Sequence, residues 1–368
     1  MGASVPITMR MLLSDRRRLA VSLLGVAAAV GLVLLLQAMW AGQLTQITAY
    51  EDNSGADLFV AQRGTESVLG DVSVVPLAAV EEVARLPGVD AVDPIHLHYT
   101  VFDLHGQKEW VLLVGSEPGR LGGPWDLAAG REPKAAGEAV LDRVLAGEHD
   151  LTIGDELTVP GSTLRVVGLA EGTRSWMTGL VFVTGESAAL LSGGGGVASY
   201  LLVRTDRPTE TATAVSEQMG LAAIPPGTLA ANDRKVLAEI MESPIMLMIG
   251  IAFAAATLVV ALTVYSAVIE RLREYGIVKA IGADQRRVWG MVAGQALAIA
   301  TTGSALGFLM YVGGAWVISK LRPQFWFSLQ PRHLVVLGAA TLAMSMAAAA
   351  LPVRRLGRLD PASVYHGW

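Results

Sequence analysis

The sequence predicts an α-helical membrane protein with four transmembrane helices and a large α+β extracytoplasmic domain inserted between the first and second of them. Three observations carry this reading. The chain of 368 residues is 52% hydrophobic with a mean hydropathy of +0.47, a composition that suits membrane spans joined to a soluble domain. Four apolar runs, 19–42, 243–269, 288–318 and 333–351, are long enough to cross a bilayer, which takes ~20 residues. The charges are also divided, since residues 43–242 hold 13 Lys/Arg against 28 Asp/Glu and the rest of the chain holds 15 against 5. The net charge of −5 conceals this division, which implies two compartments. There is no cysteine, so disulfides and thiolate chemistry are excluded.

Residues 1–18 read as a cytoplasmic interfacial helix, because Val5, Met9, Leu12 and Leu13 alternate with Arg10, Arg16, Arg17 and Arg18. A signal peptide is the competing reading, with SDRRRLAVSLL similar to a twin-arginine signal. The length of the run 19–42 and the lack of a clear A-x-A cleavage site favour a retained first span. Residues 43–242 contain no comparable run and read as a folded α+β domain, large enough to bury its own core. Strands are expected at ADLFVAQ (56–62), WVLLVG (110–115), DELTV, TLRVVGLA, LVFVTG and YLLVRT. Short helices are expected within Pro76–Val89 and Pro208–Gly220. Gly193 to Gly196 read as a mobile linking loop rather than a phosphate cradle, since no Gly-Lys-Ser/Thr opens a helix there.

The second span, 243–269, carries Pro244 near its start, where a helix tolerates proline. Residues 270–287 form a charged elbow, then come the third span (288–318), an outer loop (319–332), the fourth span (333–351) and a C-terminal tail (352–368). The elbow holds five basic residues against three acidic ones, and Arg354, Arg355 and Arg358 mark the tail, so both face the cytoplasm. Both termini are then cytoplasmic and the large domain is outside. Phe325, Trp326 and Phe327 suit an outer interface belt. Within the elbow, apolar residues recur every three to four positions as on a surface helix, Gly282 can end it and Asp284 can cap the next helix.

ERLREYGIVKAIGADQRRV (270–288), RRRLAVSLLGV (16–26) and PVRRLGRLDPA (352–362) resemble segments of the permease subunits of type VII ABC transporters, the family of MacB, LolC, LolE, FtsX and the DevC and HrtB type exporters. The resemblance implies that the elbow is a coupling helix docking on a cytoplasmic ATPase, with the ATPase-coupling positions at Glu270, Arg271, Glu274, Tyr275, Gly276, Lys279, Gly282 and Ala283. It implies a cell-membrane location and mechanotransmission, in which ATP-driven motion reaches the outer domain without a conventional channel. The sequence contains no Gly-x-x-x-x-Gly-Lys-Ser/Thr, so the chain is not expected to be an enzyme itself; ATP and Mg are expected on a separate ATPase dimer. One ATPase dimer needs two elbows, which implies a second permease chain, identical or related. Membrane lipid and an extracellular adaptor are further implied partners, and nucleic acid is not.

The expected cargo is hydrophobic or amphiphilic: haem, lipid, antibiotic or lipoprotein. Met39 and Trp40 end the first span, while Met241, Glu242, Met246 and Met248 begin the second. Their polarisable side chains suit a pliable apolar pocket, or haem ligation by Met39, Met241 or Glu242; ordinary packing against protein or lipid fits them too. His96 and His98, with His105 nearby, have the spacing of a zinc pair but lack further ligands, so no metal site is expected. No nucleophile elbow and no catalytic residue is identified. Gly303 with Gly307, and Gly290 with Gly294, have the spacing of close helix packing, either within the bundle or at a dimer seam. An FtsX-like signalling role, controlling an extracellular cell-wall hydrolase without transport, is the alternative function. A membrane-anchored enzyme or receptor without an ATPase is disfavoured by the elbow.

Overall fold

A computed structural model of the chain describes residues 16–159, 162–175, 178–193, 195–270 and 284–357. Contacts divide the chain into a membrane unit, 1–42 with 243–368, and an inserted domain, Gln43–Glu242. In chain order the elements are α1 (Arg16–Gln46), α2 (Ala49–Asn53), β1 (Leu58–Ala61), β2 (Val75–Pro76), α3 (Ala79–Ala84), β3 (Val89–Leu104), β4 (Gln107–Ser116), β5 (Leu127–Gly130), β6 (Glu138–Asp142), α4 (Arg143–Glu148) and β7 (Glu156–Val159). There follow β8 (Ser162–Ala170), β9 (Arg174–Ser175), β10 (Thr178–Thr184), α5 (Gly185–Ser192), β11 (Val197–Ala198), β12 (Tyr200–Thr205), α6 (Pro208–Ala214), β13 (Ala222–Ile224), α7 (Pro226–Glu270), α8 (Gln285–Leu321) and α9 (Pro331–Gly357).

The inserted domain is built on one sheet of order β13-β1-β12-β3-β4-β10-β6-β8-β5. Its backbone is β3, which pairs β12 over Val89–Ile95 and β4 over His96–Leu104. That change of partner explains Pro94 inside a long strand: a proline cannot donate to a ladder, and here the described pairing uses only one neighbour. The β3–β4 connection is a two-residue hairpin loop in which His105 (φ 51°) and Gly106 (φ 83°) both take the positive φ that such tight loops demand. The β4–β10 and β6–β8 pairs are parallel and the remaining pairs of the sheet antiparallel. Strand β10, TGLVFVT, is buried at every position, and accordingly its sequence runs apolar rather than alternating. Phe182, fully buried, meets Trp125 edge to face at 5.8 Å, and Phe59 meets Tyr200 at 5.9 Å.

The glycine run does less than its length suggests. Gly193 ends α5 in the left-handed conformation (φ 69°), and the Gly196 carbonyl accepts Leu77 N at 3.0 Å as the chain enters β11.

In the membrane unit, four described helices are long and apolar enough to cross a bilayer. Each contributes a stripe of residues four apart to a common core: Val26, Val30, Leu34 and Ala38 on α1, Ala256, Val260, Val264 and Val268 on α7, Val292, Ala296 and Ala300 on α8, Met344 and Ala348 on α9. Large apolar side chains also point away from that core, among them Leu24, Leu258, Leu309 and Val335. Helices apolar all round belong in lipid.

The first of the two glycine pairs packs within the chain. A Cβ on Gly307 would lie 2.9 Å from the Ala27 carbonyl and 2.8 Å from Val30, and one on Gly31 would lie 3.2 Å from the Gly307 carbonyl. Here α1 and α8 meet backbone to backbone, as small residues permit in a bundle. Added Cβ atoms at Gly290 and Gly294 meet nothing. Hydroxyl pairs join neighbouring helices, Ser22 with Thr263 at 2.6 Å and Ser304 with Thr341 at 2.9 Å.

Pro244 departs from the sequence reading. It is not in the first turn of its helix, because α7 begins at Pro226 and runs 45 residues. Pro226 occupies the tolerated opening position, and Pro244 lies in the interior, where it removes one backbone hydrogen bond.

Candidate functional site

The elbow is described only at its two ends. Glu270 closes α7, and α8 opens at Gln285 behind Asp284. Arg271, Glu274, Tyr275, Gly276, Lys279, Gly282 and Ala283 lie outside the described residues. Asp284 has the extended backbone of a capping residue (φ −62°, ψ 149°), and its carbonyl accepts Arg287 N at 2.9 Å. Its carboxylate makes no capping hydrogen bond, contrary to expectation. It still carries the favourable charge for a helix N-terminus, whereas Arg286 and Arg287, both exposed, oppose the helix dipole there. Helix stability does not explain those two arginines.

The methionine-rich ends show no shared chemistry. Met39 and Trp40 are half-buried on α1, and Met246 and Met248 are exposed on α7. None of the four belongs to the buried core of the membrane unit among the described residues. In the inserted domain, Met241 is half-buried and Glu242 exposed. The α8–α9 connection crosses the end of α1. There Ser328 N donates to the Ala38 carbonyl at 2.9 Å, and Gly42 lies so close to the Trp326 carbonyl that no side chain fits. Trp326 is exposed, while Phe325 and Phe327 are half-buried.

His96 is half-buried and His98 exposed on β3, and no group of three metal-ligating side chains occurs among the described residues. His105 is taken up by the hairpin, with its Nδ1 2.9 Å from the His149 carbonyl.

A polar network in the inserted domain joins α2, the head of α7 and the segment 65–71. Arg234 donates through Nε to the Leu44 carbonyl at 3.2 Å and through Nη2 to Thr48 Oγ1 at 2.8 Å and Asp52 Oδ2 at 3.3 Å. A cation on the last carbonyls of α1 is favoured by the helix dipole. One residue earlier, Asp233 Oδ1 accepts from Val68 N at 2.9 Å, Leu69 N at 3.3 Å and Ser67 Oγ. Asp71 Oδ2 fixes the same segment from within, accepting Glu66 N at 2.8 Å and Ser67 N at 3.0 Å.

Glu51 is buried on α2 beside this network. Burial first, with Asp233 nearby, pushes its carboxyl well above the usual range. Tyr99 and Tyr200 lie near the two acids; burial first, with the neighbouring acids, raises the Tyr99 hydroxyl to about 12 and raises Tyr200 as well.

Sequence reasoning did not single out Glu51 or Asp233. A signal existed: Leu229, Asp233 and Leu237 fall four apart on the buried face of α7, and Ile47 and Glu51 are likewise four apart and buried. An acid in an apolar register is the informative observation.

Comparison with known proteins follows the same division. A family model described as "MacB-like periplasmic core domain" matches residues 19–220, and one described as "FtsX-like permease C-terminal" matches 246–361. An uncharacterized ABC transporter permease of Mycobacterium tuberculosis (strain ATCC 25618 / H37Rv) is 25% identical over 356 residues, covering 96% of each chain. The macrolide export ATP-binding/permease protein MacB of Rhodospirillum rubrum is 24% identical over 394 residues, covering 98% of this chain and 59% of that protein. The crystal structure of the periplasmic region of MacB from Actinobacillus actinomycetemcomitans aligns at 11% identity with a TM-score of 0.38, covering 49% of this chain and 94% of that one.

Proposed function

The chain belongs to the MacB/FtsX-type family of ABC transporter permeases, and from that premise we propose that it moves a hydrophobic or amphiphilic compound out of the membrane under the drive of a separate ATPase. The observation that carries the reading is the arrangement of four apolar helices with a large sheet domain between the first and second. The segment Glu270–Arg287 joins α7 to α8 along the chain, so in this reading closure of an ATPase dimer on it is passed to both helices as rigid-body motion. ATP and Mg belong to that ATPase. The elbow, Glu270 through Arg287, and the C-terminal tail are cytoplasmic in this reading, on their basic charge. A second permease chain supplies the second elbow.

The cargo is an amphiphile in this reading, since the outward faces of the helices are apolar and the pocket lined by Val30, Val33, Phe253, Leu337 and Met344 is apolar too. Met39, Trp40 and Met246 are the cargo-facing candidates of the membrane unit; Met241 and Glu242 are those of the inserted domain. The test reconstitutes the chain with its ATPase in lipid discs and screens haem, lipids, macrolides and lipopeptides for stimulation of ATP hydrolysis. Stimulation by at least one amphiphile, reduced by Met39→Ala or Met246→Ala, is the expected result. Stimulation only by a cell-wall hydrolase would replace transport with FtsX-like signalling.

A further inference from the structure

In the segment DVSVVPL (71–77) the apolar residues alternate the wrong way for water. Val72 is 88% exposed and Val74 46%, while Ser73 and Val75 are buried; Leu77 extends the exposed face. A half-buried extended segment in water turns its polar residues out and its apolar ones in. Here the hydroxyl is inside and two valines are outside. Ser73 is held there because its Oγ accepts Gln62 N at 3.0 Å, and that bond fixes which side chains face outward. A register that exposes valines in this way marks a contact surface.

The residues just before it fix where that face lies along α7. Asn232 Nδ2 donates to the Glu66 carbonyl at 2.8 Å, and Asp233 Oδ1 accepts Val68 N at 2.9 Å and Leu69 N at 3.3 Å. A Cβ on Gly70 would lie 3.8 Å from Val236 Cγ1. From Glu66 to Gly70 the loop therefore steps along α7 from 232 to 236, toward the apolar run that begins at Ser243 of the same helix. The rise from Val236 to Ser243 is about 10 Å. Two residues of extended chain beyond Gly70 reach up to about 7 Å, and the headgroup layer on each face of a bilayer is about 5–7 Å deep. Val72 is within reach of lipid.

We infer that Val72 and Val74 form an apolar foot that rests on the bilayer, in the headgroup layer through which α7 enters the membrane. Lipid is the occupant because the exposed face lies beside a helix about to enter hydrocarbon and offers a partner no charge to match. Asp71, the acid at the turn, uses its Oδ2 to accept Glu66 N and Ser67 N. With Glu66 and Asp71 so close, anionic headgroups are not what the foot selects; the contact is apolar. Tied to α7 through Asn232 and Asp233, the foot sets the depth of the head of that helix against the lipid surface. The inference needs an α7 that crosses the bilayer, and no particular cargo or motor.

The chain has no cysteine, so a single introduced one can carry a nitroxide spin label without competition. The test labels Val72→Cys and, separately, Leu190→Cys, each in the full chain in discs of zwitterionic lipid. Leu190 is the reference, an apolar residue of the same domain that is 73% exposed on α5. Power saturation reads collisions of each label with oxygen, which concentrates in lipid, and with a water-soluble nickel chelate. The oxygen-to-nickel ratio at 72 is expected to be severalfold that at 190, and unchanged by high salt or by added anionic lipid. Adding Val74→Asp should bring the ratio at 72 down toward the reference. Both positions are exposed, so these changes leave the domain's core intact. A ratio at 72 equal to that at 190 overturns the inference. So does shielding of the label at 72 from both agents, which would show a protein, such as a second copy of this chain, on that face.

Discussion

The inserted domain and the membrane unit are held together by different means. The domain is closed by large side chains that interlock in a sheet core, Phe182 on Trp125 and Phe59 on Tyr200. The membrane unit places glycine, alanine and valine at most of its contacts, with Leu34 among them, and turns Leu24, Leu258 and Leu309 outward. The reason is the solvent. In water a buried phenylalanine is stabilised by leaving water, whereas lipid is as apolar as the bundle interior and only close approach and hydrogen bonds distinguish the packed state. The same substitution therefore has different consequences in the two units.

The largest expected effect is in the sheet core. Phe182→Ala should destabilise the inserted domain by about 3–5 kcal/mol, read as an earlier denaturant midpoint of tryptophan fluorescence in the full chain. Retention of the wild-type midpoint would show that this core is not what closes the domain. Gly307→Val drives a side chain into Ala27 and Val30, and should cost the bundle roughly 1–3 kcal/mol as overpacking does. Gly294→Ala, in open space, should be neutral by thermal melting in the same lipid discs. Equal effects would undo the assignment of Gly307 to the α1–α8 contact.

Smaller still, Ser304→Ala removes the hydroxyl pair with Thr341 and should cost on the order of 0.6 kcal/mol, the usual worth of such a pair in a bundle. The smallest effect is at the surface of the inserted domain. There the Arg131 hydrogen bond first, then the Lys134 and Ala135 amides, hold Glu138 down at about 2. A depressed carboxyl stabilises above its ordinary value near 4.5 and loses that contribution as pH falls toward 2. Glu138→Gln should flatten the acid limb of a stability–pH profile by an amount that solvent screening keeps slight. Its sign is opposite to that of Glu51, so the two carboxyls are separable in one titration.

The sequence made the membrane architecture legible because long apolar runs and the split of charge are properties of composition. Strands β1, β4, β7, β8, β10 and β12 were legible for a related reason, since buried strands concentrate valine, leucine and phenylalanine. The start of α7 was not. Residues 226–242 are amphipathic and charged, and the apolar run that begins at Ser243 hides a helix already under way, which is why Pro244 reads as an opening proline and lies in the interior. That Glu51 lies near Asp233 was invisible for a deeper reason. Each acid could be placed on a buried register by its own helix, but only the fold brings the two helices together.

The proposed function has a separate motor driving this chain through the segment Glu270–Arg287. Its most direct test is ATP hydrolysis by the cognate ATPase, measured with the wild-type permease and with Glu274→Arg and Gly276→Trp in lipid discs. Amphiphile-stimulated hydrolysis is expected to be lost in both variants while membrane insertion and ATPase activity in the permease-free enzyme are unchanged. Stimulation equal to the wild type in both variants would contradict it.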